Sequence, residues 1–400
     1  MSLLETTSLP ASADDQKIAK TAGYYMAFIA LGIVAAVLGP TLTDLAEHTQ
    51  STVRDISYLF TARSFGYLVV SLLGGRLYDR IPGHILMVTM LLVMAGTMAL
   101  MPVVPLLWVL ITVLVIMGIG EGMVDVGGNT MLVWVHRDKV EPFMNGLHFF
   151  FGAGAFVAPI IIAQAVAMSG DINWAYWSLA LLMLPIALWI VRLPSPTPLV
   201  VSKEGPAGQV NYLLVGLIVL FFFLYVGAEV AFGGWVFTYV TTLNLTTPTV
   251  ARYLTSAFWG MLTVGRLVSI PVSVRIRPRY MLLADLLGSL VSVGIIFLWR
   301  DSIIAVWLGT LGLGLSMASV FPTTLNLAER RMTITGKVMG WFFVGASTGA
   351  MFLPWFVGQL FEPIGPWTVM TIIWVDLLLA LGLFFILISY SARSAGRGEV

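Results

Sequence analysis

The 400-residue sequence has no cysteine. Disulfides, thiol nucleophiles and cysteine-based metal sites are therefore excluded, while the absence says nothing of redox compartment. Charge is scarce too. Asp, Glu, Lys and Arg make up 10% of residues, against about 25% in a soluble domain. Net charge is +1, so bulk electrostatics give no reason to expect a nucleic-acid partner. No nucleophile–base pair, metal cluster or phosphate-cradling glycine loop is found, and lone Ser or His residues in apolar runs are weak signals, so an enzyme is not expected. Ten-residue alternation of apolar and polar residues is missing as well, which argues against a transmembrane β-barrel.

What remains is apolar. Hydrophobic residues make up 58% of the chain and mean hydropathy is +0.94. One or two soluble cores could not hide that much apolar surface, so the solvent must be a lipid bilayer. A spanning helix needs about 20 mostly apolar residues. Twelve such runs are expected: 22–47, 57–79, 84–103, 106–134, 142–168, 173–193, 210–243, 248–274, 279–299, 302–329, 335–360 and 366–390. Residues 1–21 read as a cytosolic tail before a retained helix, not a signal peptide. The Pro-, Ser- and Gly-containing stretch 194–209 reads as a cytosolic linker between a six-helix bundle at 22–193 and a second at 210–390, with a cytosolic tail at 391–400. Twelve spans put both termini on one side. Sixteen Lys and Arg residues fall in connections on that side, against Arg54, Arg252 and Arg300 on the other, so both termini are expected in the cytosol.

The halves repeat. A shift of 194 residues carries Gly118, Gly120, Met123 and Val126 onto Gly312, Gly314, Met317 and Val320. Such a parallel repeat, with a pseudo-two-fold axis between two six-helix bundles, is the plan of the major facilitator fold. The expected fold class is thus an all-α membrane protein of that type. The loop GGRLYDRIPGHI resembles the superfamily's signature between the second and third helices, with Gly75, Asp79, Arg80 and Gly83 at its main positions and His84 where a basic residue is usual. The resemblance implies that Asp79 and Arg80 latch the cytosolic side in one conformation. Ordinary positive-inside charge is the alternative.

The stretch GIGEGMVDVGGN sets Glu121, Asp125 and Asn129 four residues apart, hence on one helix face. Under the same shift Glu121 falls on Leu315, Asp125 on Ser319 and His148 on Phe342. The scaffold is duplicated and these ionisable groups are not, so they read as function added to one half. A carboxylate facing lipid is costly, and the stripe should face a polar cavity. Two acids side by side resist being charged together, which suits a pair that takes up and releases a proton near neutral pH. A permanent partner, Arg or His for Asp125 and backbone or water for Glu121, is the alternative. Sodium could be held by Asp125 with Asn129, Thr130 and backbone oxygens.

Other polar residues inside the spans are weighed in the same way. Asp44 binds substrate or pairs with Arg63. His148 relays protons or caps a carbonyl. Glu229, followed by two glycines where a helix can break, is expected to line the cavity. Arg266 reads as a charge at a cytosolic helix end. Asn326 bonds substrate or another helix. Trp174, Trp177 and Trp367 read as interfacial anchors. Trp235, Trp259 and Trp341 lie within spans and either stack on a sugar ring or simply pack.

The helix-four stretch also resembles the motif of the fucose–proton symporter family. Five stretches, GPTLTDLAEHT, ISYLFTARSFGYL, VDVGGN, PFMNGLHFFFGAGAFVAP and YVGAEVAFGGWVFTY, resemble its sodium-dependent glucose transporter branch. The resemblance implies cation-coupled uptake of a monosaccharide, a hexose such as glucose or fucose, by alternating access. It implies coupling at Asp125, coupling or substrate binding at Asp44, and sugar hydroxyls at Asn129. Glu121 departs from the pattern at a position that is usually uncharged. The expected site therefore has coupling residues Asp125, Glu121 and Asp44, and substrate residues Asn129, Glu229, Trp235, Asn326, Trp259 and His148. No cofactor is expected beyond a coupling H+ or Na+. The partners are the sugar and the bilayer, and the chain is read as a monomer of a bacterial inner membrane. A proton-driven exporter of amphipathic compounds is the alternative, and a non-transporting sensor is a third reading.

Overall fold

The computed structural model describes residues 13–197, 211–332 and 334–395. Most of the expected tails and linker lies outside them. Among the described residues all regular structure is helical. Twelve helices are long and apolar enough to cross a membrane: α1 (Gln16–Val37), α2 (Val53–Tyr78), α3 (Gly83–Val103), α4 (Leu107–Lys139), α5 (Glu141–Ser169), α6 (Asn173–Ile190), α7 (Tyr212–Thr242), α8 (Pro248–Arg275), α9 (Pro278–Leu298), α10 (Ile303–Glu329), α11 (Gly336–Ile364) and α12 (Thr368–Tyr390).

Local chemistry explains the boundaries. Thr247, Ser302, Thr335 and Asn211 each accept a backbone N–H in the first turn of the helix that follows, satisfying a donor that would otherwise be unpaired. The expected first span, 22–47, is divided. Pro40 lacks an N–H and breaks the ladder, giving a tight turn at Gly39–Thr41 and a short helix at Leu42–His48. Helix α10 is interrupted between Met317 and Val320.

Packing repeats between the halves. Helix α1 packs on α5 as α7 does on α11, α2 on α4 as α8 on α10, and α3 on α6 as α9 on α12. The contact register corrects the sequence offset. A Cβ on Gly118 would stand 1.9 Å from the Arg63 carbonyl oxygen of α2, and one on Gly314 would stand 2.5 Å from the Phe258 carbonyl oxygen of α8. The counterpart of Gly118 is therefore Gly314, two positions past the Gly312 chosen by a shift of 194. Two residues turn a helix by about 200°, so Leu315 is not the counterpart of Glu121. Met317 takes the place of Glu121, and the interruption of α10 begins directly after it. The asymmetry between the halves is sharper than the sequence offset implied.

The halves meet through α2 with α11 and α5 with α8, two contacts that the pseudo-two-fold axis exchanges. All hydrogen bonds and ion pairs between halves among the described residues lie from mid-membrane to the face away from the termini. Arg54 Nε donates to Gln359 Oε1 at 2.8 Å, Val53 N to Glu362 Oε1 at 3.0 Å, and Arg252 pairs with Asp44 at 3.2 Å. Thr61 Oγ1 donates to the Met351 carbonyl at 3.2 Å, and Ser256 to the Phe156 carbonyl. On the terminal face, a Cβ at Gly75, Gly336 or Gly340 would meet nothing within 4 Å. The molecule is closed on the far face and open on the terminal face.

In this cysteine-free chain, Arg54→Cys with Gln359→Cys should cross-link through a short bifunctional thiol reagent in most purified molecules. Arg80→Cys with Lys337→Cys, at the opposite ends of the same two helices, should link far less. Mobility shift on a denaturing gel reads both pairs, and equal yields would contradict one-sided opening.

Candidate functional site

Helices α2 and α4 run in the same direction, and each presents two polar residues one turn apart to the other. Arg63 and Tyr67 on α2 face Glu121 and Asp125 on α4. In the upper rung Arg63 Nε and Nη2 donate to the two Glu121 oxygens at 2.6 and 2.7 Å. Glu121 is 2% exposed. This is a bidentate buried ion pair, the geometry the guanidinium fork favours. In the lower rung the Tyr67 hydroxyl donates to Asp125 Oδ2. The Asn129 amide donates to Asp125 Oδ1 at 3.0 Å and to the Asp125 carbonyl oxygen at 2.9 Å.

The two acids of the stripe are thus unlike. Glu121 is neutralised by Arg63, so the expectation of two free carboxylates is corrected. Asp125 is half-buried and meets a hydroxyl and an amide, with no basic side chain among the described residues in ion-pair contact. Its negative charge is solvated by neutral donors only. The Asn129 amide oxygen is left as an acceptor beside it. Thr130 is half-buried, and no hydrogen bond ties it to Asp125.

Asp44 does not pair with Arg63. It lies on the short helix Leu42–His48, and its Oδ2 is 3.2 Å from Nη2 of Arg252, whose Nε donates to the Pro40 carbonyl. Burial pushes the Asp44 carboxyl up from its ordinary range, with Arg252 opposing that shift. Asp44 is part of the far-face closure in this conformation. Arg252, expected in a far-side connection, is buried in α8.

The tryptophans divide as well. Trp235 is fully buried, donates its indole N–H to the Pro354 carbonyl at 3.0 Å, and lies between Phe60 and Phe361. It plugs the far face and offers no ring to a sugar here. Trp259 is 6% exposed and packs on Phe258 and against Gly233. Asn326 sits near the terminal end of α10, where its Oδ1 accepts from Arg330 at 2.9 Å, so it is not at the centre. Trp174, Trp177, Trp341 and Trp367 are exposed.

The second half contributes a different polar wall. The Tyr225 hydroxyl donates to Glu229 and lies 3.0 Å from the Met317 carbonyl at the interruption of α10. Arg266 is half-buried within α8, on the same face as Trp259 seven residues earlier. The expectation of a helix-end charge fails, because Arg266 lies within electrostatic reach of Glu229 and of His148. Among the described residues its guanidinium has no hydrogen-bond or ion-pair partner. His148 on α5 is exposed, with its ring edge-on to Phe28.

Two acids escaped the sequence reading. Asp285 on α9 accepts from Ser319, and Asp376 on α12 is buried with Oδ2 unpartnered. Both stand inside expected spans, so the rule that singled out Asp125 would have found them. Tyr67 and Tyr225 were also missed, since a tyrosine in an apolar run looks like packing until its hydroxyl is located.

The expected latch is not formed in this conformation. Asp79 and Arg80 are exposed, and neither side chain makes an ion pair among the described residues. Gly83 packs where a Cβ would meet Met131 Sδ at 2.5 Å. His84 is no substitute for a surface cation. It is buried, bonded to the Tyr24 hydroxyl at 2.8 Å and to the Leu193 carbonyl at 2.9 Å.

The sequence model of the Major Facilitator Superfamily matches residues 24–354. Mouse sodium-dependent glucose transporter 1A is 30% identical over 374 residues, covering 84% of this chain and 88% of its own. Sodium-dependent glucose transporter 1 of Xenopus laevis is 32% identical over 355 residues, covering 81% and 72%. The crystal structure of a mutant nucleoside transporter, NupG, superposes with a TM-score of 0.74 at 12% identity, covering 94% of this chain and 99% of that one.

Breaking the upper rung from one side should strand a buried charge, at a cost of about 3–5 kcal/mol. Arg63→Gln and Glu121→Gln should each lower the midpoint of thermal unfolding in detergent, and the double variant should recover much of the loss. Additive losses in the double variant would mean that the two side chains do not act as a pair.

Proposed function

The chain belongs to the major facilitator superfamily and is a transporter, and from that premise we propose that it is a symporter carrying a monosaccharide together with Na+. Two observations outside the chain support the solute and the ion. The mouse and Xenopus relatives are named as sodium-dependent glucose transporters. One observation within the chain carries the coupling site: Asp125 is the carboxylate on α4 solvated by Tyr67 and Asn129 and by no basic side chain.

The orientation is inferred from charge. With Lys and Arg gathered on the terminal face, that face is cytosolic, and the conformation described here faces inward. In the proposed cycle a sugar and Na+ enter from the far face while it is open. Na+ is a hard cation and takes oxygen ligands. The Asp125 carboxylate, the Asn129 amide oxygen and the Tyr67 hydroxyl oxygen form such a set once Tyr67 turns its proton away. With Na+ bound, the charge on Asp125 is balanced. Without it, Tyr67 and Asn129 return their hydrogens to the carboxylate, as in the inward-facing arrangement. The cation and the two protein donors thus compete for the same lone pairs. That competition gives Na+ the differential affinity for two states which a coupled cycle requires.

The sugar is placed against the second half. Glu229 offers an acceptor and Arg266 a set of unused donors, and His148 adds a polar edge on the opposite wall. A monosaccharide presents both donors and acceptors at every hydroxyl, so a wall with both suits it. The halves then rock about the bound solute through their α2–α11 and α5–α8 contacts. Asp79 and Arg80 are free in the inward-facing state and are assigned to the opposite closure.

Asp125→Asn removes the charge while keeping the shape and the bond to Tyr67. In proteoliposomes the variant should lose Na+-driven accumulation of labelled glucose while retaining sugar counterflow at a rate within about tenfold of wild type. Uphill accumulation by the variant would remove Asp125 from coupling. Wild-type protein that takes up no hexose from a panel, with or without Na+, would remove the sugar assignment itself.

A further inference from the structure

Away from the transport route, the terminal face carries a cavity of about 460 Å³ between the start of α1 and the end of α4. It is lined by Gln16, Lys17, Lys20, Trp134, His136 and Arg137, with the chain after α6 closing one side. We propose that this cavity binds the phosphate of an anionic membrane phospholipid.

Its depth fits the bilayer surface. Lys17 and Lys20 stand in the first turns of the α1 span, and Trp134 lies two turns or less from the end of the α4 span. Tryptophan favours that level, where one edge of the ring meets apolar chains and the other meets headgroups. Trp134 and Val135 give the cavity an apolar wall for the glycerol and first methylenes of a lipid.

Its chemistry fits a phosphate. Three basic side chains line it: Lys17, Lys20 and Arg137. Asp14 lies 3.5 Å from the Lys17 Nζ and is largely exposed, so it offsets part of one charge only. Among the described residues neither Lys20 nor Arg137 has an ion-pair partner. Basic pockets between membrane helices on the cytosolic side are suited to anionic headgroups.

Its walls are held in place. The Thr21 hydroxyl donates to the Lys17 carbonyl at 2.8 Å, so the 2.7 Å contact between Thr21 Oγ1 and His136 Nε2 is made by an imidazole N–H. That bond ties α1 to the end of α4, and the His136 ring stacks on Phe143. Arg137 follows with φ at +51°, a left-handed backbone that a residue with a side chain adopts only at a cost. The regular turns of α4 stop at His136, and Arg137 begins a tight final turn at the rim of the cavity.

The test uses the full chain in neutral detergent. Dioleoyl-phosphatidylglycerol, dioleoyl-phosphatidylcholine or inorganic phosphate is added, and lipid retention is read by native mass spectrometry beside the midpoint of thermal unfolding. Phosphatidylglycerol should be retained and should raise the midpoint, and phosphatidylcholine should do neither. Lys20→Gln and Arg137→Gln should each lower phosphatidylglycerol retention roughly fivefold, the worth of one basic residue beside an anionic surface, and the double variant should approach the phosphatidylcholine level. Arg137→Lys should retain more than Arg137→Gln, which separates charge from a general loss of fold. Equal retention by wild type and the double variant would overturn the proposal. Protection by inorganic phosphate with none from phosphatidylglycerol would overturn it too, and would mark the cavity as a site for a soluble anion.

Discussion

A charge held away from water must meet an opposite charge, meet enough hydrogen-bond donors, or give up its charge, because the alternative costs several kcal/mol in a medium of low dielectric. That constraint sorts the acids of this protein more sharply than their positions do. Glu121 and Asp44 each hold an arginine, Arg63 and Arg252. Asp125, Glu229 and Asp285 each accept from a hydroxyl, of Tyr67, Tyr225 and Ser319 respectively, and none has an ion-pair partner among the described residues. An arginine pair of good geometry is self-contained and resists change. A carboxylate solvated by neutral hydroxyls keeps its charge unbalanced and is the better place for a cation to act.

The two rungs between α2 and α4 put both solutions one helical turn apart. The Arg63–Glu121 pair fixes the register of the two helices, and Gly118 lets α4 approach the Arg63 carbonyl closely enough for the fork to reach Glu121. Tyr67 then arrives opposite Asp125 because it lies four residues after Arg63, as Asp125 lies four after Glu121. Glu121 therefore helps to set the register that brings Tyr67 to Asp125, without being a free acid. Its charge is balanced by Arg63 in the facing helix.

The fold was legible because its signals are long. Runs of twenty apolar residues, positive charge on alternate connections and a repeat across half the chain survive errors of several residues at each end. Pro40 shows the limit. It divides the expected first span, and hydropathy alone does not register a lost backbone donor. The site was legible only in part. The spacing of Glu121, Asp125 and Asn129 gave a shared face, but partners come from other helices, and one sequence does not say which. Asp44 was weighed against Arg63 and found Arg252. Trp235 was read as a possible sugar platform and is a plug, since the same ring serves packing or stacking depending on which face of the molecule is closed. The repeat offset of 194 places Ile29 on Phe223, as the contacts do, but on α4 it falls two residues short, enough to turn a correct duplication onto the wrong helix face.

The corrected register shows that the two halves carry different polar groups at their facing helices. At the place corresponding to Glu121 the second half has Met317, and residues 303–328 of α10 include no acid or base, so the α2–α4 ladder has no charged twin there. What the second half has is Tyr225, Glu229 and Arg266 on α7 and α8. In a molecule whose halves are related by rotation, a site repeated in both would face itself across the axis and bring like charges together as the halves rock. Placing acid without cation on one side and a mixed donor–acceptor wall on the other avoids that repulsion. It also lets one half answer to the ion and the other to the solute in the proposed cycle, while the duplicated helix contacts supply the rotation that joins them.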